Sequence, residues 1–165
     1  KMIDFVRSQD PNHPITIGWS NTSSATLLNE KLDFILQVGD FESVRTEQDL
    51  DLMSVPEKHR KLGQFHLFSS GKEVFPWPVY FIGGNHEAYG YLEQYPNGQD
   101  LCGNCFYMGR AGREAIAGLR VAGLSGIYSP ARFNQARPNI TAKKQFPIKW
   151  LTYFNDDDIN NQISS

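Results

Sequence analysis

Val79-Tyr80-Phe81-Ile82-Gly83-Gly84-Asn85-His86-Glu87 is an apolar run that stops at two glycines and then presents an amide, an imidazole and a carboxylate. It reads as a buried strand with polar chemistry just past its C-terminal end. A second stretch has the same form. Phe34-Ile35-Leu36-Gln37-Val38 is apolar and ends in Gly39-Asp40. Open α/β sheets gather their functional groups where strands end side by side. Asp40 and Asn85 lie 45 residues apart, enough for a crossover between parallel neighbours. The expectation is therefore two adjacent parallel strands, Leu32–Val38 and Val79–Ile82, buried on both faces, with Asp40 and Asn85 brought close together.

Working outward, 165 residues with 40% apolar content can build one core. A net charge of −2 argues against a strongly basic clamp for nucleic acid. No apolar run reaches the ~18 residues of a membrane span, and no basic start precedes an apolar stretch. Both points lead to the expectation of an intracellular protein without membrane contact. The chain opens on Lys1 rather than Met, and its last residues stop inside a helix pattern. We therefore expect a single, incomplete domain over 1–165, cut at both ends.

Residues 1–8 read as the end of an amphipathic helix, broken by Asp10-Pro11-Asn12-His13-Pro14. Residues 15–19 read as a short strand or loop, and 24–30 as weakly helical. Thr46-Glu47-Gln48-Asp49 opens a short helix. Pro56 starts a second helical piece that Ser69-Ser70-Gly71 ends, and Glu87–Tyr95 is a third, stopped by Pro96-Asn97-Gly98. Phe106–Met108, Ala115–Ile116 and Leu119–Leu124 read as short strands, the last two joined by a turn at Ala117-Gly118. Tyr128–Phe146 reads as an exposed basic loop. Asn155 caps a final helix whose first turn holds Asp156, Asp157 and Asp158. Alternating strands and helices followed by hairpins indicate an α/β sandwich.

Cys102 and Cys105 are the only cysteines. A structural zinc needs about four ligands, and there is no second pair. A redox pair of the thioredoxin type would open a helix, whereas Phe106 follows here in an apolar run. The two read as ordinary thiols in a loop. His13, His59 and His66 read as surface or partly buried histidines.

Asp40 is a hard anionic ligand that can bridge two cations, and Gly39 lets the backbone turn sharply beside it. Asn85 can supply a neutral oxygen to one cation. His86 can then face a phosphate and donate a proton to the leaving oxygen. Glu87 can orient the His86 ring. Either motif alone is common turn chemistry. Both together, each after an apolar strand, are far more specific.

Gly39-Asp40 with Gly84-Asn85-His86-Glu87 resembles the calcineurin-like metallophosphoesterases. Within that family the chain is most similar to the RNA lariat debranching enzymes. Four stretches carry that similarity: Val38-Gly-Asp-Phe-Glu-Ser-Val-Arg45, Asp49-Leu-Asp-Leu-Met-Ser-Val-Pro56, Phe81-Ile-Gly-Gly-Asn-His-Glu-Ala88 and Val121-Ala-Gly-Leu-Ser-Gly-Ile127. The resemblance covers residues 32–133, and residues 11–23 carry none of it. It implies a metallophosphoesterase-type β-sandwich flanked by helices, present as a partial domain. It implies two divalent ions (Mn, Fe or Zn), with Asp40 bridging them, Asn85 on the second and His86 catalytic. The family's first-strand Asp-x-His or Cys-x-His motif and its later Gly-His-x-His are absent from this sequence.

The function implied is metal-dependent hydrolysis of phosphodiesters, with the 2′–5′ branch linkage of lariat RNA as a substrate. The stretch alone is expected to be inactive. Two other readings stay open: a phosphatase or nuclease of another substrate, and a non-catalytic RNA-binding or scaffold protein on the same fold. Arg132, Arg137, Lys143, Lys144 and Lys149 could contact phosphates in any of them, although such charges are more often a solvated surface.

Overall fold

A computed structural model describes residues 32–137 and 148–163. The readings for residues 1–31 and 138–147, with His13, Lys143 and Lys144, lie outside the described residues. The first sheet has the order β1-β2-β4-β3. Its strands are β1 (Ile35–Val38), β2 (Val79–Ile82), β3 (Gln99–Cys102) and β4 (Cys105–Tyr107). β1 and β2 are parallel neighbours, in register from Ile35 opposite Val79 to Val38 opposite Ile82. Equal register at the last pair means that Gly39 and Gly83 leave the sheet at the same end and level. β4 runs parallel to β2 on its other side, and β3 closes the described sheet antiparallel to β4.

Three short helices cover one face: α1 (Glu47–Leu50), α2 (Phe65–Ser69) and α3 (Tyr89–Leu92). Phe81 of β2 is fully buried in the core, with Phe65 of α2 and Tyr89, Tyr91 and Leu92 of α3. Phe41 stacks on Phe81 with ring centroids 4.2 Å apart. Such aromatic pairs add about 0.5–1.5 kcal/mol beyond simple burial. The opposite face is covered less completely. Tyr80 stacks on Phe106 at 4.7 Å but stays half-buried, and Val38 is 75% exposed. The expectation that both strands are buried on both faces is therefore corrected. Alternate residues of β2 are sealed, and among the described residues β1 is an edge.

β5 (Ala111–Ile116) and β6 (Leu119–Leu124) form a separate antiparallel hairpin. A Cβ on Gly123 would lie 2.5 Å from Ile82 and 3.5 Å from Met108, so β6 sits close over the end of β2. Two sheets with helices outside them are the expected α/β arrangement.

Other readings are corrected in detail. The pair Cys102 and Cys105 is not in a loop: the two residues face each other across the β3–β4 turn. Glu87–Tyr95 shortens to a single helical turn at α3. The described part of the basic segment is tied down. Arg132 lies 3.5 Å over the Trp150 ring, and Arg137 is ion-paired with Glu93 and Asp158. His59 is exposed, and the His66 ring pairs with the Gly63 carbonyl at 2.7 Å. α4 (Asp156–Ile163) begins as expected. Asn155 Oδ1 accepts the Asp158 amide at 3.1 Å, and Asp158 Oδ2 accepts the Asn155 amide at 2.9 Å. This is a reciprocal cap that satisfies two otherwise free donors.

The β5–β6 turn puts Ala117 at φ 47° and Gly118 at φ 82°. Both positions of this two-residue hairpin turn are left-handed, a conformation that costs an ordinary L-residue about 1–2 kcal/mol and asparagine less. Ala117→Asn is therefore expected to stabilise the protein by about 0.5–1 kcal/mol. A higher urea midpoint with unchanged slope would show it, and a lower midpoint would refute it.

Candidate active site

The site forms where the two strand-exit loops touch. After β1 the chain passes through Gly39 at φ 108°, Asp40 at φ 50° and Glu42 at φ 56°. Left-handed geometry is tolerated by Gly and Asp but is strained for Glu. The tight coil swings Asp40 over the other loop. A Cβ on Gly84 would lie 2.1 Å from Asp40 Oδ1 and 2.5 Å from its amide nitrogen. Only glycine permits that approach. Asp40 Oδ1 accepts the His86 backbone amide at 3.0 Å, and Oδ2 lies 3.7 Å from His86 Nδ1. Both side chains stay nearly half exposed, at 46% for Asp40 and 43% for His86. Asn85 sits between Gly84 and His86, the two residues that Asp40 touches.

Glu87 has different partners from those expected. Its carboxylate is wholly buried and accepts the amides of Phe41 at 2.5 Å and Ser43 at 3.4 Å. It therefore holds the strained β1 exit loop rather than the His86 ring. Burial pushes its pKa up to about 8, even though backbone amides of Phe41, Ser43 and Gly84 favour the ionised form. The sequence reading gave this residue a role because it is adjacent to His86. The backbone turn instead carries it inward, to amides 44 and 46 residues away.

Three further residues hold the second loop, and the sequence reading gave none of them a role. Ser125 Oγ accepts the Gly83 amide at 2.9 Å and donates to the Gly109 carbonyl at 2.6 Å. The Gly126 amide donates to the Gly83 carbonyl at 2.7 Å. The Tyr89 hydroxyl donates to the Gly84 carbonyl at 2.7 Å. A Cβ on Gly83 would lie 2.7 Å from that hydroxyl. The Ser125-Gly126 pair was visible in the Val121–Ile127 stretch, but its partner lies 42 residues away. Glu42 lies close to the same groups. Its carboxyl is raised by partial burial, with His86 opposing that shift and Asp40 adding to it, so it shares the site's field.

Asp40 and Asn85 are oxygen donors of the kind a divalent ion takes. Among the described residues, no three His, Cys, Asp or Glu side chains gather into a set able to hold a metal. The described residues thus do not form a metal centre by themselves.

Two substitutions test this framework. Gly84→Ala places a methyl against Asp40 and should destabilise by about 1–3 kcal/mol, as overpacking does. Ser125→Ala leaves the buried Gly83 amide and Gly109 carbonyl without this partner and should cost about 1–3 kcal/mol. Denaturant titration measures both, and a change below ~0.5 kcal/mol in either would contradict the packing described.

No protein-family model matches the chain. It is similar to a lariat debranching enzyme of Caenorhabditis briggsae, 50% identical over 147 residues, covering 81% of this chain and 29% of that protein. It is 37% identical over 131 residues to that of Arabidopsis thaliana, covering 79% of this chain and 31% of that protein. The Drosophila melanogaster enzyme is 44% identical over 139 residues, covering 81% and 26% respectively. The chain therefore spans less than a third of the length of these relatives. With this similarity spread over four-fifths of its residues, the chain belongs to the metallophosphoesterase-type family of the lariat debranching enzymes.

Proposed function

We propose that this chain carries part of the active site of a metal-dependent phosphodiesterase that hydrolyses the 2′–5′ branch linkage of lariat RNA. The observation that supports it best is the meeting of Asp40 with Gly84 and His86 at the paired ends of β1 and β2. The substrate class comes from the relatives, each of which is a lariat debranching enzyme.

Asp40 and Asn85 would hold divalent ions, with further ligands from outside the described residues. When bound, such ions neutralise phosphate charge and activate water. His86 has the separate task of handling a proton. Its backbone amide is fixed on Asp40 and its Nδ1 faces the same carboxylate, which leaves Nε2 for the substrate oxygen. Held this way, His86 would serve as the general acid. Gly39, Gly84 and Glu87 act by keeping this arrangement in place.

The roles separate by experiment. In the full-length protein, His86→Ala should lower turnover of a branched RNA by roughly 10²–10⁴-fold with bound manganese unchanged. Asp40→Ala should lower the manganese content itself, as measured by elemental analysis. Unchanged turnover in His86→Ala would remove its role as acid. Tight binding of branched RNA without any metal-dependent turnover would establish a scaffold instead.

A further inference from the structure

The β3–β4 turn carries chemistry that the phosphodiesterase reading leaves unused. Cys102 ends β3, Cys105 starts β4, and the two are directly paired across the two-residue turn Gly103-Asn104. We propose that Cys102 and Cys105 are an oxidisable dithiol, which exchange with a small-molecule disulfide converts into an internal disulfide closing this turn.

The geometry supports this. Opposed residues of antiparallel strands hold their Cα atoms about 4.5–5.5 Å apart, inside the range of about 4.4–6.8 Å that a disulfide spans. The turn is held on both sides, so the thiols stay together. Asn104 adopts φ 60°. Its carbonyl accepts the Val79 amide at 2.8 Å, and its side-chain nitrogen donates to the Phe75 carbonyl at 2.8 Å. Both cysteines are free, and they differ in access. Cys102 is partly exposed, whereas Cys105 is fully buried. The Cys105 thiol hydrogen-bonds to Cys102, which draws the Cys102 pKa down and raises that of Cys105. Cys102 is thus the attacking thiol and Cys105 the resolving one.

The chemistry balances with oxidised glutathione as the oxidant. The Cys102 thiolate attacks one glutathione sulfur, the glutathione S–S bond breaks, and one glutathione thiolate leaves. Cys105 then gives up its proton and displaces the second glutathione from the mixed disulfide. Two protein thiols are oxidised, and one glutathione disulfide is reduced to two thiols. The pair lies at the Val79 end of β2, about 13 Å of strand away from Gly83 at ~3.3 Å per residue. Closure is therefore expected to leave metal content and turnover unchanged.

Trypsin provides the readout, since Lys72 and Arg110 bound a 73–110 peptide that contains both cysteines. After incubation of the folded protein with oxidised glutathione, this peptide should be about 2 Da lighter, with no glutathione attached. Cys105→Ser should stop at a stable glutathione adduct on Cys102. Cys102→Ser should leave Cys105 unmodified. A persistent glutathione adduct on the wild-type peptide, a disulfide between two copies of the chain, or an unreacted pair would each overturn the proposal. The wild-type result decides the matter even if a serine variant folds poorly.

Discussion

The backbone of Gly84 passes so close to Asp40 that no side chain fits between them. This contact is what the rest of the arrangement serves. Two strands in equal register bring their ends level, but level ends would still leave a side chain's width between the loops. Glycine at 39 and 84 removes that width. The Asp40 carboxylate can then reach around Gly84 to the amide of His86. A loop-to-loop contact of this kind fixes the relative position of the two groups to within a hydrogen bond. Such close positioning is what lets preorganised groups act on a substrate without rearranging.

The approach has a conformational cost. Asp40 and Glu42 both sit in left-handed geometry, where each non-glycine residue stores of order 1–3 kcal/mol. Glu87 supplies the offset. Its buried carboxyl takes two amides from the strained coil, and a neutral hydrogen bond of this kind contributes about 0.5–1.5 kcal/mol net. Burial acts against this by disfavouring the charge, which is why the carboxyl is raised despite three amides around it. The coil is held by long-range contacts rather than by the preferences of its own residues.

Much of this was legible in the sequence, for physical reasons that also mark where legibility ends. β2 is a continuous apolar run between Pro78 and Gly83, so its bounds were plain. The Ala117-Gly118 turn and the Asn155 cap depend on residues within a few positions of one another, and both were readable. β3 was not. Gln99 and Asp100 are exposed polar residues on a strand at the end of the described sheet, where no apolar signal is required. Leu101 falls at the register shift within this pairing, which breaks the alternation further. The partners of Glu87 and Ser125 lie more than forty residues away, and local pattern carries no information about such pairs.

The buried charges behind the site follow the same logic one layer further out. Arg110 is almost fully buried, ion-paired with Glu93, and donates to the Leu151 carbonyl at 2.6 Å. Its guanidinium lies 3.9 Å from the centre of the Tyr89 ring, whose hydroxyl holds the Gly84 carbonyl. Arg137 adds a second contact to Glu93 at 3.0 Å and reaches Asp158 at the start of α4. Buried ion pairs contribute little net stability, because desolvation cancels most of the attraction. Removing one partner is a different matter and costs about 3–5 kcal/mol, since a bare charge is left behind. The network therefore matters less as a source of stability than as a constraint. It commits Glu93, Arg110 and Arg137 to one arrangement. Through the ring stacked on Arg110, that arrangement keeps the Tyr89 hydroxyl on Gly84, and so keeps the glycine where Asp40 needs it.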